Sequence, residues 1–447
     1  MEFQPLKGMK DFLPEEMVKR QYVIATVEKV FERYGFDPFE TPVIEDWKLL
    51  STKSGEDLAK QIFKFEDKNG KEVGLRAELT PSLARVIVNN PQLPKPFKRY
   101  AIAPVWRYEE PQSGRRRQFW QADVDTVGSN SMTADAECIA CAVDCLSTLG
   151  FKDFSVKLNN RKILNGILEA VGVDETKRTA ALRAIDKLEK VGTEEVMKEL
   201  ERDGLDNKQV KRMLSFITTK GKKRVRSLNA LCEEGVKELE EILRIGKAFG
   251  ISKFVKLDFS LARGLDYYTG PIFEIAVKSK TSVGSVAGGG RYDRMIELFG
   301  GVSTPATGIS LGIERIVEIM KDEGMLGPER TKVKLFIANV DSTLLPEAVR
   351  IARKMRKKGI ACQTDLMNRN LNKQLEYADS AGISYVVVVG ERELKSGRFK
   401  LKDMAKKTEE EMPLARLAQK IKSAGRRVPR PKAENNISSK RNSFLEP

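Results

Sequence analysis

The residues best suited to chemistry stand close together at 262–270, which read Ala-Arg-Gly-Leu-Asp-Tyr-Tyr-Thr-Gly. Arg263 supplies a fixed cation and Asp266 a carboxylate, so the stretch could bind an anion. Tyr267 and Tyr268 add two phenols that could sort polar ligands, and the glycines let a ligand approach the backbone. Segments that alternate polar and apolar residues flank the stretch, which predicts a loop between two sheet strands. An ordinary hairpin with surface tyrosines is the alternative, and these residues alone favour neither interpretation.

A second group of reactive side chains forms an arginine-rich hairpin. A strand predicted at 97–107 ends in Arg107, Glu109 follows it, and a second strand is predicted at 119–127. The loop between these strands carries consecutive basic residues: Arg115, Arg116 and Arg117. These guanidiniums would repel each other without an anion among them, and arginine grips phosphate through paired hydrogen bonds. The pattern indicates a phosphate site, and an exposed hairpin that binds RNA without specificity is the alternative.

Acidic and amide side chains supply a possible polar pocket. Gln121, Asp123 and Asp125 lie two positions apart and therefore share one face of the second strand. That face points into a polar cleft or into solvent. Glu78 stands just before a helix predicted at 82–88. It could cap that helix or bind an ammonium group, and the sequence alone favours capping.

Two stretches with glycines follow further along the chain. Three consecutive glycines precede Arg291, Tyr292 and Asp293, and they permit a tight backbone approach. A phosphate-binding loop is a weaker alternative there, because no Lys-Ser or Lys-Thr pair follows. Residues 308–320 have the pattern of a short strand and then a helix, with Arg315 in the first turn of the helix. That arginine either reaches a ligand or caps a neighbouring element.

Composition limits the class of protein. With 447 residues and 41% hydrophobic content, the chain suggests two or three globular domains. It has no apolar run of about eighteen residues, and its N-terminus lacks the layout of a signal peptide. Five cysteines without paired spacing fit a reducing compartment, so we expect a cytoplasmic protein. Cys138, Cys141 and Cys145 share one helix face, where core packing is favoured over metal binding.

The sequence contains no histidine, which narrows the possible chemistry. Catalysis by Ser-His-Asp or Cys-His groups is excluded, and so is any metal site with a histidine ligand. A general base must therefore be a carboxylate, a lysine, a tyrosine, water or the substrate itself.

Changes in pattern divide the chain into domains. Strand-rich sequence is interrupted by charged helices, and a regular alternation of strands and helices follows, which predicts a small α/β domain. The expected boundaries are 1–159 and 251–325 for the strand-rich domain, 160–250 for a helical insertion, 326–332 for a linker, 333–424 for the α/β domain and 425–447 for a disordered basic tail.

The net charge of +16 is distributed unevenly. The α/β domain and the tail are strongly basic, whereas the strand-rich domain is nearly neutral. A large polyanion contacted by the C-terminal part is the natural interpretation. Within the insertion, residues 208–226 carry many basic residues and no acid, which is typical of a solvated helix face or of a surface that contacts RNA.

Three of these patterns resemble, in order, the three signature motifs of class II aminoacyl-tRNA synthetases. A helix predicted at 15–34 and a proline-containing strand at 36–43 are similar to the first motif. The arginine-rich hairpin resembles the second motif, and the pattern from Gly308 to Arg315 resembles the third. The first motif forms the dimer interface in that class, so the resemblance implies a homodimer.

Two further stretches resemble the histidine-specific motifs of the histidyl-tRNA synthetase family: residues 263–268 and 289–293. The resemblance implies an α+β catalytic domain with a mixed, mainly antiparallel sheet, a helical insertion and a C-terminal α/β anticodon-binding domain. Ala77 stands where the family usually has proline. Asp125 matches archaeal and eukaryotic members, whereas bacterial members have glutamate, so we expect archaeal relatives.

The resemblance also implies which residues form the site. Those implied to bind histidine are Glu78, Leu79, Thr80, Arg107, Gln121, Asp125, Arg263, Tyr267, Tyr268 and Tyr292. Those implied to bind ATP are Arg107, Glu109, Arg115, Arg117 and Arg315. Arg107 and Arg263 are the implied catalytic residues, since fixed guanidiniums neutralise the repulsion between a reacting carboxylate and a phosphate.

The implied activity is the ligation of L-histidine to tRNA(His) with ATP and Mg²⁺, without a metal held by protein side chains alone and without a membrane. The tRNA would be contacted at its acceptor end, by the insertion and by the C-terminal domain. A non-catalytic paralogue, either a regulatory subunit of ATP phosphoribosyltransferase or a tRNA sensor, is one rival, and a plain RNA-binding module is another. Such paralogues tend to lose the arginines that this chain keeps at 107, 263 and 315.

Overall fold

The computed structural model describes residues 3–52, 59–111, 116–218, 221–262, 267–279 and 284–424. The chain forms two compact units. In the described part of the chain, the first comprises residues 3–11 with Arg20–Glu323, and the second comprises Phe12–Lys19 with residues 324–424. Among the described residues, no helix has the length and apolar character needed to cross a membrane.

The first unit contains a large sheet of eight strands and a small sheet of three strands. The strands are β1 (Asp37–Pro38), β2 (Ile44–Asp46), β3 (Lys64–Glu66), β4 (Glu72–Leu75), β5 (Phe97–Trp106), β6 (Gln118–Val127), β7 (Phe154–Asn160), β8 (Val255–Leu257), β9 (Pro271–Val277), β10 (Ser285–Arg291) and β11 (Ala306–Gly312). The large sheet has the order β1-β5-β6-β11-β10-β9-β7-β8, and the small one β2-β4-β3. Only the edge pairs β1–β5 and β7–β8 of the large sheet are parallel, which confirms the predicted mixed, mainly antiparallel sheet.

Helices lie before, between and after these strands; the first of them begins in the second unit and enters the first unit at Arg20, and the others belong to the first unit. They are α1 (Pro14–Arg33), α2 (Trp47–Ser51), α3 (Thr80–Asn89), α4 (Met132–Leu149), α5 (Arg161–Ala170), α6 (Glu175–Asp186), α7 (Leu188–Val191), α8 (Thr193–Arg202), α9 (Asn207–Ile217), α10 (Lys222–Arg226), α11 (Ala230–Ala248), α12 (Met295–Leu298) and α13 (Ile313–Asp322). Helices α5 to α11 form the run of helices expected between the strand-rich segments. Residue 160, at which the expected insertion begins, is the last residue of β7, and the first helix of the run begins at Arg161.

Helix α4 shows how the core of this unit forms. Ser131 caps its first turn by accepting a hydrogen bond from the Thr133 amide, and Gly150 ends it in the left-handed conformation. The helix packs against β11. Its three cysteines are buried and free of disulfides: Cys138, Cys141 and Cys145. The prediction that they belong to the core is therefore confirmed.

The strands on either side of residues 262–270 do not form a hairpin. The strand expected before this stretch is β8, which is only three residues long, and β7 lies between it and β9 in the sheet. The connection therefore crosses one end of the sheet and does not turn directly between neighbours, so the hairpin alternative is wrong. Residues 263–266 lie outside the described residues.

The second unit contains a five-stranded sheet with helices between its strands. Its elements are β12 (Leu335–Asn339), α14 (Leu345–Lys357), β13 (Cys362–Thr364), α15 (Leu371–Ser380), β14 (Tyr385–Val389), α16 (Glu391–Ser396), β15 (Arg398–Asp403), β16 (Thr408–Pro413) and α17 (Leu414–Ala424). The order is β13-β12-β14-β15-β16, with the first three strands parallel. The predicted α/β alternation is confirmed.

Strand β16 was not predicted, for a physical reason. It contains three consecutive glutamates and is exposed at five of six positions, so it lacks an apolar alternation. Its partner β15 is basic at the facing positions, and Lys400 and Lys402 lie opposite Glu411 and Glu409. Opposite charges across the strands replace the hydrophobic pattern on which strand prediction depends.

Candidate active site

A cavity of about 430 Å³ opens over the central strands of the large sheet. Most of the residues that the sequence suggested for a site line this one cavity: Glu78, Thr80, Arg107, Glu109, Gln121, Asp125, Tyr267, Tyr268, Tyr292 and Arg315. They come from segments far apart in the sequence. The fold therefore brings together the hairpin, the acidic strand face, the two tyrosines and the arginine of the third motif.

Strand β6 supplies the floor of the cavity. Gln121, Asp123 and Asp125 all line it, as their alternation predicts. At about 3.3 Å per residue, the Cα atoms of Gln121 and Asp125 are about 13 Å apart, which is long enough to place different groups of one small ligand. On the neighbouring strand β11, Ser310 lies opposite Asp123 and Gly308 opposite Asp125. These small residues leave space above the floor.

The Asp125 carboxylate is held on both oxygens. Oδ2 lies 2.6 Å from Nη2 of Arg99, which is fully buried on β5, and the Tyr292 hydroxyl donates to Oδ1. Burial raises the pKa of Asp125, whereas the Arg99 charge and the Tyr292 hydrogen bond act in the opposite direction. A Cβ atom on Gly308 would lie only 2.0 Å from Oδ1, so this carboxylate fills the space that the glycine leaves.

Glu78 does not cap the following helix. The N-cap residue of α3 is Leu79, which makes no side-chain capping bond. Oε2 of Glu78 instead accepts a hydrogen bond from the Tyr267 hydroxyl at 3.2 Å. The capping interpretation is therefore wrong. Burial raises the pKa of Glu78 to about 7, although the nearby charge of Arg107 opposes the shift.

Three buried carboxylates make this part of the cavity suitable for a cationic or proton-donating ligand. Besides Glu78 and Asp125, Asp123 lines it, and burial raises the pKa of Asp123 to about 7 despite the charge of Arg99. Acids buried to this extent are stabilised when a cation or an N–H group approaches, because water hydrates their carboxylates only weakly. Gln121 donates from Nε2 to Ser310 Oγ at 2.8 Å, and its buried Oε1 accepts from no described residue.

Tyrosine rings form a wall above these acids. The ring centroids of Tyr267 and Tyr268 are 5.0 Å apart, and those of Tyr267 and Tyr292 are 5.8 Å apart in an edge-on arrangement. Such packing fixes the position of each hydroxyl. The wall therefore presents phenols at set places, which suits the recognition of a polar side chain.

Arginines line another part of the same cavity. The Arg107 Nε donates to the carbonyl of Ala77 at 3.0 Å, and its guanidinium lies 5.2 Å from the Phe119 ring centroid. Arg315, in the first turn of α13, donates from Nη1 to the Ser285 carbonyl at 2.5 Å. Backbone carbonyls help to hold both side chains in place, and guanidiniums fixed in this way suit a polyanion such as a triphosphate.

Known proteins match this chain over nearly its whole length. The family description "Histidyl-tRNA synthetase" matches residues 8–316, and "Anticodon binding domain" matches residues 334–424. The chain belongs to the histidyl-tRNA synthetase family. Its expected archaeal character is confirmed by its relatives.

Relatives and solved structures in this family agree with each other. A histidine–tRNA ligase of Pyrococcus abyssi is 39% identical over 93% of this chain and 98% of its own length. A histidine–tRNA ligase of Aeropyrum pernix is 40% identical over 95% of this chain and 98% of its own length. The crystal structure of histidyl-tRNA synthetase from Nostoc sp. PCC 7120 has a TM-score of 0.83 at 30% identity, covering 95% of this chain and 100% of that one. Sequence and fold thus place the chain in the same family.

Some residues that the family resemblance suggested are placed elsewhere or are not described. Leu79 is buried with Ala101 and Val105 in a small core cluster and does not line the cavity. Arg117 does not line it either, since its guanidinium lies 3.8 Å from the Tyr108 ring centroid and its Nε donates to the Glu109 carbonyl. Arg115 and Arg263 fall outside the described residues.

Other residues at the site were not predicted. Those that line the cavity are Ser310 and Glu314, whereas Arg116 and Asp123 line it as members of the predicted phosphate site and polar strand face. Arg99, which does not line the cavity, lies on β5 opposite Asp125 of β6. Glu314 gave no comparable signal, and it accepts hydrogen bonds from Arg20 and from the Trp120 amide.

Metal binding by side chains alone has no support in the described part of the chain. Those residues contain no group of three or more His, Cys, Asp or Glu side chains arranged to hold a metal ion. Magnesium usually binds through substrate phosphates with one or two carboxylates. Glu109 and Glu314 line the cavity, but both oxygens of Glu314 already accept hydrogen bonds from Arg20 and the Trp120 amide.

Proposed function

We propose that this chain is a histidine–tRNA ligase. It activates L-histidine with ATP to histidyl-adenylate and pyrophosphate, and then transfers histidine to the 3′ end of tRNA(His). One observation carries the proposal: a single cavity combines three buried carboxylates with several arginines, in a chain whose second matched region is an anticodon-binding domain. That pairing suits a substrate with an amino group and a polar ring that must meet a triphosphate.

Histidine would bind over the floor of β6. Glu78, Thr80 and Gln121 receive the α-ammonium group, which suits the buried acid and the unpaired Gln121 Oε1. Asp125 and Tyr268 hydrogen-bond the imidazole ring. An analogue without a ring N–H would leave these buried groups unpaired, and discrimination of this kind can reach about 10⁴–10⁵.

The remaining tyrosines would complete the histidine pocket. Tyr292 holds Asp125 and closes the pocket beyond the ring, and Tyr267 orients Glu78 through its hydroxyl. Both hydroxyls therefore donate hydrogen bonds to buried carboxylates of the cavity. Their effect on histidine is to fix the acceptor atoms that it meets.

ATP would occupy the arginine-lined part of the cavity. Arg107 binds the α-phosphate and the histidine carboxylate, Glu109 meets the adenine amino group, and Arg315 lies against adenine and the γ-phosphate. The loop at 115–117 contacts the triphosphate and the tRNA acceptor end, and Arg116 is its member that lines the cavity. Magnesium, when bound with ATP, would be held mainly by the phosphate oxygens and would neutralise part of their charge.

In the first step, a carboxylate oxygen of histidine attacks the α-phosphorus of ATP, and pyrophosphate leaves. Arg107 and Arg263 bring the two anions together and stabilise the charge that develops, without rearranging. In the second step, the terminal hydroxyl of tRNA attacks the carbonyl carbon and AMP leaves. Because the chain has no histidine, a phosphate oxygen of the adenylate takes the hydroxyl proton.

Transfer RNA would be contacted outside the cavity by basic surfaces in each unit. On α9 of the insertion, Lys208, Lys211 and Arg212 are exposed. In the second unit, the last turn of α14 is basic. Exposed cations of this kind bind phosphates with a strong dependence on salt.

A homodimer is part of the proposal. Strand β1 forms one edge of the large sheet, and Pro38 within it donates no backbone hydrogen bond. An exposed sheet edge followed by the proline-containing segment fits an interface with a second copy. The mass of the protein in solution tests this point.

Histidine-dependent exchange of pyrophosphate into ATP tests the activity. Exchange that requires histidine, together with charging of tRNA(His), is expected. A non-catalytic paralogue would show neither, and an RNA-binding module would bind tRNA without exchange. An Arg263→Ala variant that forms adenylate at the normal rate would contradict the role given to Arg263.

A further inference from the structure

Arg99 is a buried cation that the proposed mechanism leaves without a role. It is 0% exposed and lies on β5, one strand away from the cavity floor. It does not line the cavity. Its register partner across the sheet is Asp125, and Nη2 lies 2.6 Å from Oδ2 of that carboxylate. A charge that touches a ligand-binding carboxylate but no ligand acts through that carboxylate.

Without Arg99 the ionised state of Asp125 would be unfavourable. Asp125 is buried, and its charge is opposed by the nearby carboxylates of Glu78 and Asp123. Burial and neighbouring negative charges both favour the protonated acid. Arg99 is the cation that offsets them at Asp125, and Tyr292 adds one hydrogen bond to the other oxygen.

The protonation state matters for recognition of an imidazole. An ionised carboxylate only accepts hydrogen bonds, whereas a carboxylic acid also donates one. An ionised Asp125 with both oxygens held therefore demands an N–H from the ring and fixes where that N–H must lie. A protonated Asp125 would accept rings or side chains that offer only an acceptor.

We infer that Arg99 is a positioning residue for substrate specificity: it fixes Asp125 as an ionised, oriented acceptor for the ring N–H of histidine. The inference rests on the proposed function. The groups that face Asp125 from the surrounding elements are Arg99 on β5, Asp123 on β6, Tyr292 after β10, Glu78 before α3 and Cys138 on α4.

A purely structural role would have a different signature, and the chain offers a matched control. Arg291 is likewise buried and forms an ion pair with Asp135 at 2.5 Å, with side chains 3% and 0% exposed. This pair lies outside the cavity lining. Losing either arginine should lower stability, but only the loss of Arg99 should change how histidine is selected.

The test compares Arg99→Lys and Arg99→Met with Arg291→Lys, using histidine-dependent pyrophosphate exchange in the full-length protein. For Arg99→Met we expect the KM for histidine to rise about tenfold or more, while the KM for ATP stays near that of the wild type. The acid limb of the kcat/KM profile for histidine should move upward by about 1–3 pH units, because an opposite charge at this range lowers a carboxyl pKa by that amount.

Arg99→Lys should show smaller changes in the same direction, since lysine keeps the charge but carries it on a more flexible stem. Adding Arg99→Met to Asp125→Asn should raise the KM for histidine little further than Asp125→Asn alone. Arg291→Lys should lower the melting temperature and leave the acid limb in place.

The inference is overturned if both Arg99 variants fold and keep the wild-type acid limb and histidine KM. It is also overturned if Arg291→Lys shifts the limb equally, or if the Arg99 and Asp125 effects are additive. These outcomes differ from failure of the proposed function, which would appear as wild-type protein without histidine-dependent exchange.

Discussion

Gly308 should be indispensable for binding histidine, although it has no side chain to bind it with. It lies on β11 opposite Asp125. A Cβ atom there would lie 2.0 Å from Asp125 Oδ1 and 2.7 Å from the carbonyl oxygen of Val124. The carboxylate cannot retreat easily, because Arg99 and Tyr292 hold its two oxygens. A Gly308→Ala substitution must therefore displace either the acid or the backbone of β6.

The Gly308→Ala substitution should reduce both the folding stability and the binding of histidine. Overpacking a tight interior site costs about 1–3 kcal/mol of folding free energy. That loss corresponds to a fall of a few degrees in melting temperature for a domain of this size, at about 2–4 °C per kcal/mol. Loss of a well-aligned hydrogen bond to a charged group costs about 1.5–3 kcal/mol, so the KM for histidine should rise about 10- to 150-fold.

Gly312→Ala provides the matched control on the same strand. A Cβ atom at Gly312 would have its nearest neighbour at 3.7 Å, an ordinary contact, and its backbone angles of φ −84° and ψ 102° suit any residue. Melting curves and histidine titrations of pyrophosphate exchange would be compared for both variants. If Gly308→Ala kept the wild-type melting temperature and histidine KM, Asp125 could not be held against β11 as described, and the geometry of the floor would be refuted.

Further consequences of the site can be measured independently. Tyr267→Phe removes the hydroxyl that donates to Glu78, and we expect a several-fold higher KM for histidine with little change in that for ATP. Because burial raises the pKa of Glu78 and Asp123 to about 7, the folded protein binds protons more tightly than the unfolded chain. The melting temperature without substrates should therefore be higher at pH 6 than at pH 8, and the double variant Glu78→Gln, Asp123→Asn should reduce this difference. All five cysteines are buried, so a thiol reagent should label the native protein negligibly and all five after denaturation; rapid native labelling would contradict their core positions.

Most of the large sheet could be predicted from local pattern, because its long strands alternate regularly or end at recognisable turns. The face of β6 is the clearest example, since the spacing of Gln121, Asp123 and Asp125 alone placed them together. The short strand β8 could not be bounded in this way. Only three of its residues pair, at the sheet edge, and the alternation of the sequence continues past them.

The site itself could be predicted only in part, because the sequence does not show what lies across a sheet. Glu78 precedes a helix and has the type of a capping residue, yet its carboxylate turns to Tyr267, far along the chain. The contact between Arg99 and Asp125 could not be predicted either, because it depends on the register of β5 and β6. Local sequence patterns indicate which interactions a side chain can make, whereas the strand register determines which residue it contacts.

The glycine run before Tyr292 has a steric explanation that joins the fold to the chemistry. Its residues lie in the central strand β10, so they do not form a phosphate-binding loop. A Cβ atom on Gly289 would lie 2.1 Å from the carbonyl oxygen of Gly308, and one on Gly308 would strike Asp125. Strands β10, β11 and β6 therefore approach too closely for side chains between them at this point. The space so gained is occupied by the one carboxylate that must stay buried and ionised. The glycines of β10 and β11, several of which line the cavity, therefore help to determine the shape of the acidic floor.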